Sequence, residues 1–402
     1  MEIPAITRMA LLGQAVGDAF GAPFEYNRFA RAMAMRSLAE GRYLDAVADV
    51  GQKSRWARLP GLYTDDTQQA LALLRACHRA DDFLDGHQVA DHFMKIVIEM
   101  HDAYVPGAHF GVHRGTGRNF RESVRRGQAV HTAGLGAAMR IGPAATLIPE
   151  LGQVLPWAVQ VSRSTTTHPI ALTCAAIFGA YCHAAAIQRE DGLVERILEW
   201  LDTPEANELR IEREAWLEPL RAAAVLDAMG EAELLAYAQA SGHSNKTLDC
   251  AANGFALTGT PWVLHHAREG ALTDALFGVC ASGGDADTVC AMVGCLTILR
   301  LGERSVPRWM LDGLIGAEYV RDPMSWDPID AEAPLTQREE SLRRQALLEE
   351  RAQKKASLLE DSPWDFLFAD DGEDGDDPLS GALDGPQEQL SLFTPDSSDN
   401  TP

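Results

Sequence analysis

An all-α fold is predicted by this chain, and three observations predict it. Apolar residues recur at i, i+3, i+4 and i+7 over residues 67–80, 193–201, 216–229 and 286–301, the spacing of one helix face. Period-two runs rich in Val, Ile, Thr and aromatic residues are nearly absent. Gly and Pro gather between the helical stretches, at 17–23, 106–117, 134–143 and 282–284, and no repeat of solenoid length is visible.

Taken along the chain, each element follows from its own composition. The stretch 67–80 opens directly after a Thr-Asp-Asp-Thr cluster of the kind that caps a helix. Residues 164–188 contain no Asp, Glu, Lys or Arg, long enough in principle to cross a bilayer. Its Thr run, His168, His183 and many Ala and Gly fit a helix buried on all sides instead, so no membrane span is expected. The Asp-Pro-rich stretch 322–334 is read as the end of the folded body, giving a first domain of 1–334. Residues 335–359 form a charged, strongly helix-forming segment, expected as a surface or projecting helix. Residues 360–402 hold 13 acidic residues and no Lys or Arg, a composition expected to be disordered.

With 402 residues, 46% of them hydrophobic, the chain can bury a large core, which excludes wholesale disorder. The net charge is −23, of which −13 belongs to the tail, so the body's acidity says little about its ligands. Seven cysteines, an odd number without a C-x-x-C, read as buried reduced thiols. With no apolar leader before Asp18, a cytoplasmic location is expected.

Two acidic segments carry the chemistry, Tyr63-Thr64-Asp65-Asp66-Thr67 and Gly283-Gly284-Asp285-Ala286-Asp287-Thr288, each just before an apolar helical run. Capping a helix needs only one such residue. Two adjacent carboxylates at both places repel unless something compensates. A pair of hard divalent cations, Mg²⁺ or Mn²⁺, takes oxygen ligands of this kind, and no thiolate or His-pair spacing competes for zinc. A third segment, Gly13 to Glu25, has glycines that suit either a loop closing over a ligand or helix packing through small residues.

In order, the motifs G-D-x-x-G-x-P-x-E at Gly17–Glu25, Y-T-D-D-T at Tyr63–Thr67, G-x-G-A-A-M-R at Gly134–Arg140, T-H at Thr167–His168 and G-G-D-A-D-T at Gly283–Thr288 resemble the ADP-ribosylglycohydrolase family, which includes the dinitrogenase reductase-activating glycohydrolases. The resemblance spans about residues 8–312. It implies a compact single-domain all-α protein with two Mg²⁺ or Mn²⁺ ions at the mouth of an ADP-ribose cleft. Thr64, Asp65 and Asp66 would hold the metals from one side, and Asp285, Asp287 and Thr288 from the other. Glu25 matches the family's general acid/base, with Asp66 as a second catalytic carboxylate. Gly134 and Gly136 resemble a turn that offers backbone N–H groups to the diphosphate, with Thr132 beside it. His168 matches a histidine near the distal ribose, and Gly115 and Gly117 a glycine loop lining the cleft. Leu135 stands where the family often has Asn, and Ala133 where some members place an aromatic ring.

The implied reaction is metal-dependent hydrolysis of the ribosyl C1″ N- or O-glycosidic bond, through an oxocarbenium-like transition state. A non-catalytic ADP-ribose-binding adaptor is the alternative, and a different ribosyl substrate a third reading. In the tail, Gln389, Leu390, Ser391, Leu392 and Phe393 resemble the peptide with which bacterial replication and repair proteins dock on the sliding clamp. Arg114, Arg118, Arg121, Arg125 and Arg126 form a basic cluster, read as a solvated helix face or a phosphate contact. The expected partner is an ADP-ribosylated protein or DNA, with the clamp reached through the tail and no membrane.

Overall fold

A computed structural model describes residues 2–108, 110–244 and 246–361, with side chains through residue 357. The chain runs α1 (Ala5–Gly21), α2 (Ala30–Glu40), α3 (Asp65–Arg79), α4 (Gly86–Asp102), α5 (Arg118–Arg126), α6 (Ala138–Ala145), α7 (Leu151–Ser162), α8 (Pro169–Ala186) and α9 (Leu193–Trp200). It continues through α10 (Pro204–Glu208), α11 (Arg213–Met229), α12 (Glu231–Ala240), α13 (Ala256–His266), α14 (Leu272–Ser282), α15 (Ala286–Leu301), α16 (Arg308–Gly313), α17 (Ala317–Arg321) and α18 (Glu332–Asp361). The all-α expectation holds. Among the described residues the extended pairing is limited to isolated bridges, one of them joining Gly134 to Phe255.

The core is built around the pair α1 and α15, the most extensive helix contact in the molecule. On the α1 side the seam is lined by glycine. A β-carbon on Gly13 would lie 2.3 Å from the Gly294 carbonyl oxygen, one on Gly17 2.0 Å from that of Cys290, and one on Gly21 2.2 Å from that of Ala286. Glycine every fourth residue keeps one face of α1 bare, so the two backbones touch. The expected break at 17–23 is corrected accordingly: α1 continues to Gly21, and only then does a single 3₁₀ turn, Ala22–Phe24, lead to Glu25. Likewise, α6 already begins within the Gly/Pro-rich stretch 134–143 and takes Pro143 inside it.

The apolar α8 lies at the centre, packed against α6, α7, α11, α13 and α15. Its length and composition would suffice to cross a membrane, yet 83% of it is buried inside the body, as for a core helix. All seven cysteines are free thiols, six of them buried.

The C-terminal helix starts at Glu332 and runs without a break through residue 334. Its first turns do not project: Glu332, Thr336, Glu339 and Glu340 are buried. Glu332 accepts hydrogen bonds from Tyr63 Oη (3.0 Å), Gln68 Nε2 (2.9 Å) and Trp326 Nε1 (2.7 Å), and forms an ion pair with Arg114. Arg114 therefore leaves the expected basic cluster, since a guanidinium in the interior needs a carboxylate partner and finds two, Glu332 and Glu339. Arg118, Arg121, Arg125 and Arg126 remain on α5. The tail peptide Gln389, Leu390, Ser391, Leu392, Phe393 lies outside the described residues.

Candidate active site

Three chain segments converge on one acidic pocket. The α1–α15 seam sets two of them side by side, because Asp18 and Glu25 follow from α1 while Asp285 and Asp287 open α15. Tyr26 N–H donates to the Gly284 carbonyl (2.7 Å) and Asp285 N–H to that of Ala252 (2.5 Å), which ties the Glu25 turn to the second acidic loop. At Gly284, φ is +78° and a β-carbon would stand 2.2 Å from the Ala252 carbonyl oxygen, so only glycine fits.

The third segment is the start of α3. Thr64 is its N-cap, and Asp65 and Asp66 fill the first turn, where the helix dipole favours negative charge. Asp18, fully buried, accepts from Thr64 N–H (2.9 Å), Thr67 N–H (3.1 Å) and Thr67 Oγ1 (2.6 Å). It thereby fixes that turn from behind. Asp65 accepts from Gln69 Nε2 (2.8 Å), while Asp66 Oδ2 accepts from Thr64 Oγ1 (3.0 Å).

Six carboxylates thus crowd together, and burial with this crowding shifts five of them. Burial, opposed by a hydrogen bond from Thr67 and reinforced by Asp287, pushes Asp18 up to about 7. Burial and Asp287 push Glu25 up to about 8 against the pull of Arg58, and the same two causes take Asp65 to about 8. Asp66 and Asp285 rise well above the ordinary carboxylate range, through burial first and neighbouring carboxylates second. Like charges in a low-dielectric pocket disfavour ionisation unless a cation balances them.

The pocket fits divalent cations by its own chemistry. Glu25, Asp285 and Asp287 bring carboxylate oxygens within 4.8 Å of one another. Asp66 Oδ1 is buried with no hydrogen-bond partner among the described residues, an acceptor left for a ligand. The donors are all oxygens, the set that Mg²⁺ or Mn²⁺ takes.

Of the remaining expected residues, Gly115 stands at the pocket's wall: a β-carbon there would meet Arg58 Nη1 and Asp65 Oδ1, each at 3.1 Å. Gly117 and Gly136 face open space. Gly134 is joined to the acidic loop through Gly254: Leu135 N–H donates to the Gly254 carbonyl (3.0 Å), and a β-carbon on Gly254 would lie 2.6 Å from Asp285 Oδ2. Thr132 accepts from Asn119 Nδ2 (2.9 Å). His168 caps α8 by accepting from Ile170 N–H through Nδ1 (3.2 Å), and its ring centroid lies 4.7 Å from that of His131 and 5.4 Å from that of His243. Burial lowers His168 to about 4, with the two neighbouring histidines adding to the effect. Thr288 is buried beside Asp287. Leu135 turns away from these groups and packs over Gly259, an apolar side chain filling a core position.

Two residues of the pocket were not among the expected ligands. Asp18 had a signal, the G-D step of the first motif, but a single Asp inside a helix gives no hint of its partners. Arg58 had none. Its guanidinium donates to Glu25 Oε2 (2.8 Å) and lies 3.9 Å from Asp287 Oδ2, while Nε and Nη1 are buried without a partner among the described residues.

Three comparisons place the chain among known proteins. A family model described as ADP-ribosylglycohydrolase matches residues 5–345. The ADP-ribosyl-(dinitrogen reductase) glycohydrolase of Rhodospirillum rubrum is 29% identical over 180 residues, 43% of this chain and 55% of that protein. The match thus spans about half the length of that curated relative. A solved structure of an ADP-ribosylglycohydrolase-related protein complex has 20% identity and a TM-score of 0.49, over 83% of this chain and 98% of that one. The family match runs from α1 into α18 and takes in every acidic residue of the pocket, so the chain belongs to the ADP-ribosylglycohydrolase family.

Proposed function

We propose that this chain is a metal-dependent hydrolase that removes ADP-ribose from a modified macromolecule by cleaving the ribosyl C1″ N- or O-glycosidic bond. The observation that carries the reading is Glu25 within 4.8 Å of Asp285 and Asp287 and close enough to Asp65 to feel its charge. Thr64, Asp65, Asp66, Asp285, Asp287 and Thr288 would hold two Mg²⁺ or Mn²⁺ ions. When bound, such ions orient ribose hydroxyls and polarise water. Glu25 takes a proton from the attacking water or gives one to the leaving group. The turn at Gly134 and Gly136 receives the diphosphate on backbone N–H groups, and His168 and Thr132 border the distal ribose.

The test is release of free ADP-ribose from arginine-, serine- and DNA-base-linked substrates with Mg²⁺, Mn²⁺ or EDTA. EDTA-sensitive release supports the reading. Binding of ADP-ribose with no release from any substrate would favour an adaptor instead.

The reading extends to context. Gln389, Leu390, Ser391, Leu392 and Phe393 resemble a sliding-clamp docking peptide, in which Leu and Phe enter an apolar pocket on the partner. They would hold the enzyme near the replisome, where modified DNA or replication proteins are its substrate. Deleting these five residues should abolish binding to a purified bacterial clamp, and undiminished binding would refute the tether.

A further inference from the structure

The proposed chemistry makes no use of Arg58. Its side chain is 7% exposed, and it donates through Nη2 to the carboxylate that serves as acid/base. Nε and Nη1 are buried without a partner among the described residues, an arrangement that is costly unless an acceptor arrives from beyond them. That free edge stands against Gly115, whose missing β-carbon would lie 3.1 Å from Nη1. The segment carrying Arg58 is pinned from behind by α18. Ser54 N–H donates to Glu350 (3.2 Å), Leu59 N–H to Glu339 (3.3 Å), and Arg343 Nε to the Ala57 carbonyl (3.2 Å). A guanidinium is therefore held beside Glu25 by design of the fold.

We propose that Arg58 is a specificity-determining residue that favours an oxygen-linked ADP-ribose and rejects an arginine-linked one. The inference rests on the hydrolase reading, which puts Glu25 at the scissile bond. In hydrolysis of an oxygen linkage, water adds its oxygen to C1″ and the C1″–O electron pair departs with the carrier's oxygen. One proton of the water ends on that oxygen, giving ADP-ribose and the free hydroxyl. Negative charge builds on the departing oxygen, and the positive charge of the Arg58 guanidinium beside Glu25 stabilises it. An arginine linkage brings a second guanidinium to the same carboxylate. Two unit charges ~5 Å apart at an effective dielectric constant of ~20 discriminate by on the order of a hundredfold. Without Arg58, the acidic pocket would welcome that guanidinium.

The experiment compares kcat/KM on one peptide carrying ADP-ribose on serine or on arginine, for the unaltered chain, Arg58→Gln and Arg58→Lys. The expected preference for the serine-linked peptide is on the order of a hundredfold, collapsing in Arg58→Gln and surviving in Arg58→Lys. Taking the ratio within each protein makes it independent of the folded fraction. Equal or faster cleavage of the arginine-linked peptide by the unaltered chain overturns the proposal, and so does an unchanged ratio in Arg58→Gln. If neither peptide is cleaved, the DNA-base-linked substrate decides the hydrolase reading separately, and binding of the same peptides to the Mn²⁺-loaded protein decides Arg58. Tighter binding of the serine-linked peptide that Arg58→Gln abolishes supports it; equal binding, or none, overturns it.

Discussion

Glu25 and Asp18 both sit in the acidic pocket, yet they should fail in different ways. Glu25 is half-buried and faces the gap between the two acidic segments, so it is placed to exchange a proton with substrate or water. Glu25→Gln should lower kcat by roughly 10²–10⁴ while leaving ADP-ribose affinity within a few-fold, as read by single-turnover kinetics and calorimetry. Asp18 touches no substrate; it grips Thr64 and Thr67 and through them aims the Thr64–Asp66 turn. Asp18→Asn should cost about 10–100-fold in Mn²⁺ affinity, the size of an outer-layer effect, measured by titration calorimetry. The sequence announced the acidic cluster because Asp65, Asp66, Asp285 and Asp287 lie in two short runs with more carboxylates than a helix cap needs. It could not announce Arg58, whose meaning comes from Glu25 and Asp287, 33 and 229 positions away in the chain. Contacts of that range leave no local pattern.

At the scale of elements, the glycines divide into two kinds that look alike in the sequence. Gly13, Gly17 and Gly21 exist so that α1 can touch α15 backbone to backbone; Gly136 faces open space. Gly17→Ala should therefore destabilise the fold by about 1–3 kcal/mol, since the added methyl meets the Cys290 carbonyl and both helices must part. Gly136→Ala should leave the melting temperature unchanged and weaken ADP-ribose binding, because its methyl projects where the diphosphate is proposed to lie. Thermal unfolding and a binding titration on both variants separate the two effects. Four helices, α3, α9, α11 and α15, were legible from periodicity alone, and 286–301 matches α15 end to end. The extent of α1 was not, because glycine is a loop former by propensity and only the partner helix reveals why it is tolerated mid-helix. The burial of α18's first turns was equally hidden. Its charged surface pattern is real, but Glu332 and Glu339 point inward to Arg114, and a buried ion pair reads like a surface one in composition.

For the molecule as a whole, stability depends on how the body's buried ionisable groups are satisfied, and acid should expose this first. His113 is enclosed, with Nε2 on the Val97 carbonyl (3.1 Å) and Nδ1 unpartnered, and burial lowers it from 6.5 to about 4. A histidine held neutral in the fold stabilises fully above its unfolded value and loses that contribution as pH falls through the folded one. Stability should thus fall by about 1.4 kcal/mol per pH unit per such histidine between pH 6.5 and 4. Denaturant titrations at stepped pH should show a shallower fall in His113→Gln. The C-terminal helix supplies the other buried charge. Glu332 joins Tyr63 and Gln68 of the acidic segment, Arg114 of the glycine loop and Trp326, so it closes the wall behind the pocket. Stripping one partner from a buried ion pair costs about 3–5 kcal/mol. A chain ended after residue 331 leaves Arg114 as an uncompensated interior cation and should lose cooperative unfolding altogether. A chain ended after residue 361 keeps every one of these bonds, so its melting temperature and turnover should equal those of the full chain. The tether proposed for the tail predicts that this chain, unlike the full one, fails to bind a purified sliding clamp. Equal stability of the two truncations, measured by calorimetry, would show that α18 is an ornament of the fold rather than its back wall.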